Sequence, residues 1–167
     1  MLSLTVSPRF AETDALGHIN NTVIPVWFEQ GRHGIFEAVH PSLNVDDWPL
    51  ILAKISVEFV AQIYFGEDVE IRTVIDKLGN SSIIVNHEAW QSKKLVATGE
   101  AVMVYFDYQT NKYSTNWTKF RTDYIFKKYR YPDMPPNSSE EHSKCKHSTK
   151  CLRREATSTN QDDWSEC

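Results

Sequence analysis

The chain has 167 residues, 41% of them hydrophobic and 12% aromatic, enough for one domain with a real core. A formal net charge of −4 and a pI near 5.8 exclude the basic footprint of a nucleic-acid binder. No run of 18 apolar residues and no signal-peptide pattern occurs, so a cytoplasmic protein without a membrane span is expected.

Residues 2–10 read as a first strand, a weak one, because Pro8 cannot donate to a ladder and suits an edge or a strand end. The stretch RFAETDALGHINN follows at 9–21 and is the most informative segment of the chain. It sets one acidic side chain, Asp14, in a turn-rich loop ahead of an apolar helical pattern. Gly17 supplies a permissive turn position. Asn20 and Asn21 are helix N-cap types, so a helix is expected to open just after them. That order would place a carboxylate beside unpaired backbone amides carrying partial positive charge, and the amides of Ile19, Asn20, Asn21, Thr22 and Val23 are the candidates. A group that attacks a carbonyl and donors that hold the resulting oxyanion are the two parts of an acyl-transfer site. Taken alone, Asp14 reads as a turn or cap residue, and His18 as a histidine that fixes the loop.

Residues 22–39 are predicted to form the principal helix. Val23, Trp27, Gly31 and Ile35 share one i, i+4 stripe, with Ile24, Phe28 and Phe36 beside it. Pro25 conflicts with a cap at Asn21 and implies an irregular or later start. Glu29 and Arg32 are spaced as a helix ion pair. After HPSLNVDDWP the period changes to two. Ile51, Ala53, Ile55, Val57, Phe59, Ala61 and Ile63 alternate with polar residues, predicting one long strand with one buried face. Val69, Ile71, Thr73 and Ile75 continue the alternation, Leu78–Ser81 marks a hairpin, and strands follow at 82–91 and 95–108. The last is apolar on both faces, as a central strand covered on both sides would be. One helix followed by a meander is an α+β layout. A short helix is expected within 114–131. From 132 to 167 the composition is too polar to offset ordering entropy, so a mobile tail is expected. Its His142, Cys145, His147 and Cys151 fit no zinc spacing, and with Cys167 the odd cysteine count argues against a disulfide framework.

Arg9-Phe10, Glu12-Thr13-Asp14, Gly17-His18-Ile19-Asn20-Asn21 and Trp27-Phe28-Glu29 with Arg32 together resemble the signature of hotdog-fold acyl-CoA thioesterases, the group that includes 4-hydroxybenzoyl-CoA thioesterase. The resemblance covers about residues 1–130. It implies a long antiparallel sheet wrapped around a central helix, a domain over 1–131, and a dimer or dimer of dimers with active sites at the subunit interface. It places the catalytic aspartate on Asp14, with His18 assisting, and implies an acyl-CoA substrate and no cofactor or metal. The acyl group is then expected between helix and sheet, near Trp27, Phe28, Ile55, Val57 and Phe59. Lys54, Arg72, Lys77, Lys93 and Lys94 are the candidate partners of the coenzyme A phosphates. Ile24 and Pro25 depart from the family pattern at the oxyanion end of the helix. Two other readings stay open: a hydratase or dehydratase using Asp14 and His18, and a module that binds acyl-CoA without turnover.

Overall fold

Alternating residues can bury one side of a strand only where something packs against it, and the helical segment supplies that cover. The computed structural model describes residues 1–108, 110–113 and 128–129. These lie within the unit Met1–Pro132. The strands are β1 (Leu2–Val6), β2 (Leu50–Phe59), β3 (Val69–Leu78), β4 (Ser82–Gln91), β5 (Lys94–Asp107) and the short β6 (Lys112–Tyr113). They form one antiparallel sheet in the order β1-β3-β4-β5-β2, with β6 added to β5. Two 3-10 turns, Phe10–Glu12 and Val45–Asp47, flank the helical segment.

The single helix expected over 22–39 is two helices, α1 (Ile24–Gly31) and α2 (His33–Val39), joined at Arg32. Gly31, just before the join, sets how closely the helices meet the sheet. A Cβ there would stand 2.6 Å from Thr73 Oγ1 and 2.9 Å from Ile71 Cγ2, so only glycine lets the backbone sit this close to β3. Ile24, Trp27 and Phe28 of α1 pack on Val69, Ile71, Ala89 and Ala97 in one cluster. Ile35 and Val39 of α2 pack on Ile75, Ile83, Val85 and Met103 in another. The cap lies later than Asn20 and Asn21. Val23 occupies it, which leaves Pro25 in the first turn, where its missing N–H costs nothing.

The strand expected over 51–63 differs most from its pattern. It ends at Phe59, after which the amides of Val60 and Ala61 both donate to the Val96 carbonyl and the chain turns away. Ala53 is an extra residue against β5, between the Leu52 and Lys54 registers. The face expected to be buried is largely open: Ile55 is 37% and Phe59 52% exposed, while Val57 is partly buried against the α1 cluster. β2 is the sheet edge, and the helices do not reach across it. By contrast Val69, Ile71, Thr73 and Ile75 are fully buried, and β4 spans the expected 82–91. β5 is central as expected, buried on the helix face and half-buried on the other.

The expected helix within 114–131 lies outside the described residues except Lys128 and Tyr129, which are helical. The expected tail over 132–167, with its histidines and cysteines, lies outside them altogether.

Candidate active site

Local hydrogen bonds build the Asp14 loop from its own sequence. Glu12 Oε2 accepts the Arg9 N–H at 2.8 Å and its other oxygen pairs with Arg9 Nε at 3.4 Å, closing the first turn. Thr13 donates twice to the Phe10 carbonyl, from its amide and its hydroxyl. Asp14 then closes a tight loop on itself. Its N–H donates to the His18 carbonyl at 2.7 Å, and its Oδ1 accepts the amides of Leu16 at 2.8 Å and His18 at 3.0 Å. Gly17, at φ +82°, takes the left-handed position that this turn demands. The His18 amide, and after it that of Leu16, hold the Asp14 carboxyl below the usual carboxylate range. Asp14 is therefore an ionised, partly exposed carboxylate with a fixed direction.

His18 acts on this loop mainly through its backbone. It bridges Tyr64 in an isolated antiparallel pair, and its ring packs edge-to-face on the Tyr64 ring at 5.3 Å. The Ile19 amide donates to the Ile63 carbonyl at 2.8 Å, and the Asn20 amide to the Glu12 carbonyl at 2.8 Å. Asn20 Oδ1 accepts the Thr22 amide at 3.0 Å, and the Val23 amide donates to the Asn20 carbonyl at 3.0 Å. Four of the five expected oxyanion donors, Ile19, Asn20, Thr22 and Val23, are thus already engaged. Among the described residues the amides of Asn21 and Ile24 take no acceptor, and Pro25 has no N–H to offer. Asn21 is exposed and Ile24 only 1% exposed, so of the two the Asn21 amide stands open to solvent.

The expected acyl site is divided. Trp27 and Phe28 are 1% and 0% exposed, and Phe28 stacks on His87 at 4.9 Å, so side chains fill that space and both belong to the core. Ile55 and Phe59 stay accessible on β2, with Val57 between them. The candidate cations are scattered. Lys54 pairs with Glu100 at 3.1 Å, and Arg72 pairs with Glu70 at 2.9 Å while lying 4.8 Å over the Trp90 ring. Arg72 and Lys93 share a shallow groove of about 270 Å³ with Trp90, Ser92, Thr5, Asp68 and Glu70. Lys77 and Lys94 are exposed and stand apart from it.

Sequence reasoning missed a buried polar cluster under the helix join. Arg32 is 2% exposed and its Nη1 donates to His87 Nε2 at 3.3 Å. His87 Nδ1 must then carry the proton and donate to Thr73 Oγ1 at 2.9 Å. Burial first, and the Arg32 charge second, pull the His87 pKa down to about 3, so the ring is neutral. The expected Glu29–Arg32 pair is present at 3.7 Å, with Arg32 as its buried member. Among the described residues no three His, Cys, Asp or Glu side chains gather as a metal site, and no helix is long and apolar enough to cross a membrane.

A curled antiparallel sheet packed on two helices is the hotdog fold. The sequence matches the thioesterase-like superfamily over residues 8–141, and the chain belongs to that family. Its class of activity is thioester hydrolysis. It is similar to the structure of a predicted thioesterase from Bacillus stearothermophilus, at 34% identity and a TM-score of 0.74, covering 81% of this chain and 98% of that one. It is also similar to a thioesterase from Thermus thermophilus complexed with coenzyme A and zinc, at 25% identity and a TM-score of 0.62, covering 68% and 88%. An uncharacterized Bacillus subtilis (strain 168) protein is 27% identical over 115 residues, 68% of this chain and 77% of that one.

Proposed function

We propose that the chain hydrolyses the thioester of an acyl-coenzyme A, with Asp14 as the reacting carboxylate. The observation that carries this reading is the geometry at Asp14: a carboxylate fixed and kept ionised by backbone amides, shortly before the unengaged and exposed amide of Asn21 in the chain. Asp14 either attacks the carbonyl carbon, giving a mixed anhydride that water then cleaves, or takes a proton from the attacking water. In both routes the carbonyl oxygen becomes an oxyanion held by the Asn21 amide at the start of α1. The collapse of that intermediate breaks the carbon–sulfur bond, and the coenzyme A thiolate leaves and takes up a proton. His18 shapes the loop through its main chain.

A second copy completes the site in this reading. Among the described residues β2 pairs with β5 on one side alone, and such an apolar edge invites a partner strand. A dimer joined there would cover Ile55 and Phe59 and offer them to the acyl chain, and two such dimers would make the tetramer. Arg72 and Lys93, which share a groove, are the candidates for coenzyme A phosphate. The catalytic unit is residues 1–131, and its location is the cytoplasm.

The test is an acyl-CoA panel, saturated and α,β-unsaturated, followed by thiol release and enoyl absorbance. Thiol release from saturated thioesters is the expected result. Loss of enoyl absorbance without thiol would instead mean hydration, and no reaction across the panel would leave a binding module.

A further inference from the structure

Gln91 closes β4 with its side chain buried, 5% exposed, facing the loop between β2 and β3. Its Oε1 accepts the Tyr64 amide at 3.0 Å, and its Nε2 donates to the carbonyls of Tyr64 at 2.8 Å and Glu67 at 3.0 Å. A primary amide used this way copies a peptide unit, adding one rung to the loop wherever its backbone runs. It reads main chain, so it holds the loop at a fixed depth against the sheet whatever side chains the loop carries.

The other side of that loop meets His18 and Ile19, at the end of the Asp14 loop. Tyr64 bridges His18, and the Ile63 carbonyl accepts the Ile19 amide. His18 in turn gives its carbonyl to the Asp14 amide and its own amide to Asp14 Oδ1. A chain of contacts therefore runs from a buried side chain of the sheet to the carboxylate: Gln91 holds both main-chain groups of Tyr64, the adjoining Ile63 carbonyl takes the Ile19 amide, and His18 beside Ile19 holds Asp14. We propose that Gln91 is a positioning residue for Asp14, setting where the carboxylate stands through the Tyr64 backbone. This rests on Asp14 being the reacting group. A misplacement of about 1 Å at a reacting group costs on the order of 10²-fold in rate.

Gln91→Met removes all three hydrogen bonds at similar volume. Gln91→Glu keeps the acceptor facing the Tyr64 amide, loses both donors, and repeats the test with the side-chain shape unchanged. Hydrogen exchange at single amides is read in both variants beside kcat and KM on the best substrate of the panel. The expected result is exchange about tenfold faster at His18 and Ile19, with Ile71 and Val85 at parental rates, and kcat down by about tenfold or more with KM nearly held. Parental exchange at His18 and Ile19, or equal acceleration at Ile71 and Val85, overturns the proposal. The exchange arm needs no turnover, so a parent that proves inactive refutes the functional reading while the chain of contacts is still judged.

Discussion

Two regions flank the helical segment, and they are held by different means. The Asp14 loop is fixed mostly by hydrogen bonds to main-chain groups among residues 9–23, with one tie from the Ile19 amide to the Ile63 carbonyl, and its carboxylate is partly open to solvent. The seam between the helices and the sheet is fixed by side chains meeting across long sequence separations, with Gly31, Thr73, His87 and Arg32 sealed inside. In the proposed reading the loop carries chemistry at little cost to folding, whereas the seam carries stability. Mutations that separate activity from stability should divide along this line.

The largest expected effect is on the seam and appears as a pH dependence. His87 binds its proton near 6.5 when unfolded and near 3 when folded, so between those values the unfolded state holds more protons. Stability should fall as pH falls below 6.5, by about 1.4 kcal/mol per unit, or about 2 kcal/mol by pH 5. The depressed carboxyls of Asp14 and Glu70 add to the loss only nearer their own range, below about 4.5. Urea midpoints at pH 7 and pH 5 measure this, and His87→Gln should flatten the slope.

Gly31→Ala comes next. Its Cβ would enter the van der Waals space of Thr73 and Ile71, costing about 1–3 kcal/mol in thermal or urea unfolding. Any activity that survives on the folded fraction should keep the parental kcat. Gly17→Ala inverts the pattern. Nothing lies within 4 Å of its added Cβ, but the φ of +82° strains an alanine by about 1 kcal/mol. Because that strain falls on the turn that orients Asp14, kcat should drop more than stability does.

The same division explains how much could be read from the sequence. The loop was legible because its partners are neighbours: Arg9 with Glu12, Thr13 with Phe10, Asp14 with His18. The strand positions and the α+β layout followed from two-residue alternation. The seam was not legible, since Arg32 and His87 are 55 residues apart and a lone histidine in a strand carries no signal of its partner. Gln91 looked like the polar end of a strand for the same reason. Periodicity also misled on β2, because alternation reports which residues share a face and not whether anything covers it. Of the amides expected to face an oxyanion, hydrogen bonds engage Ile19, Asn20, Thr22 and Val23 and leave Asn21, which spacing alone could not distinguish.

The most direct measurement is kcat for thiol release by Asp14→Asn beside the parent, with both shown to be equally folded. The substituted amide keeps an oxygen for the Leu16 and His18 amides and loses the charge. A fall of about 10²-fold or more is the predicted result. Release at the parental rate would contradict the account, because the carboxylate would then be a turn residue and nothing else.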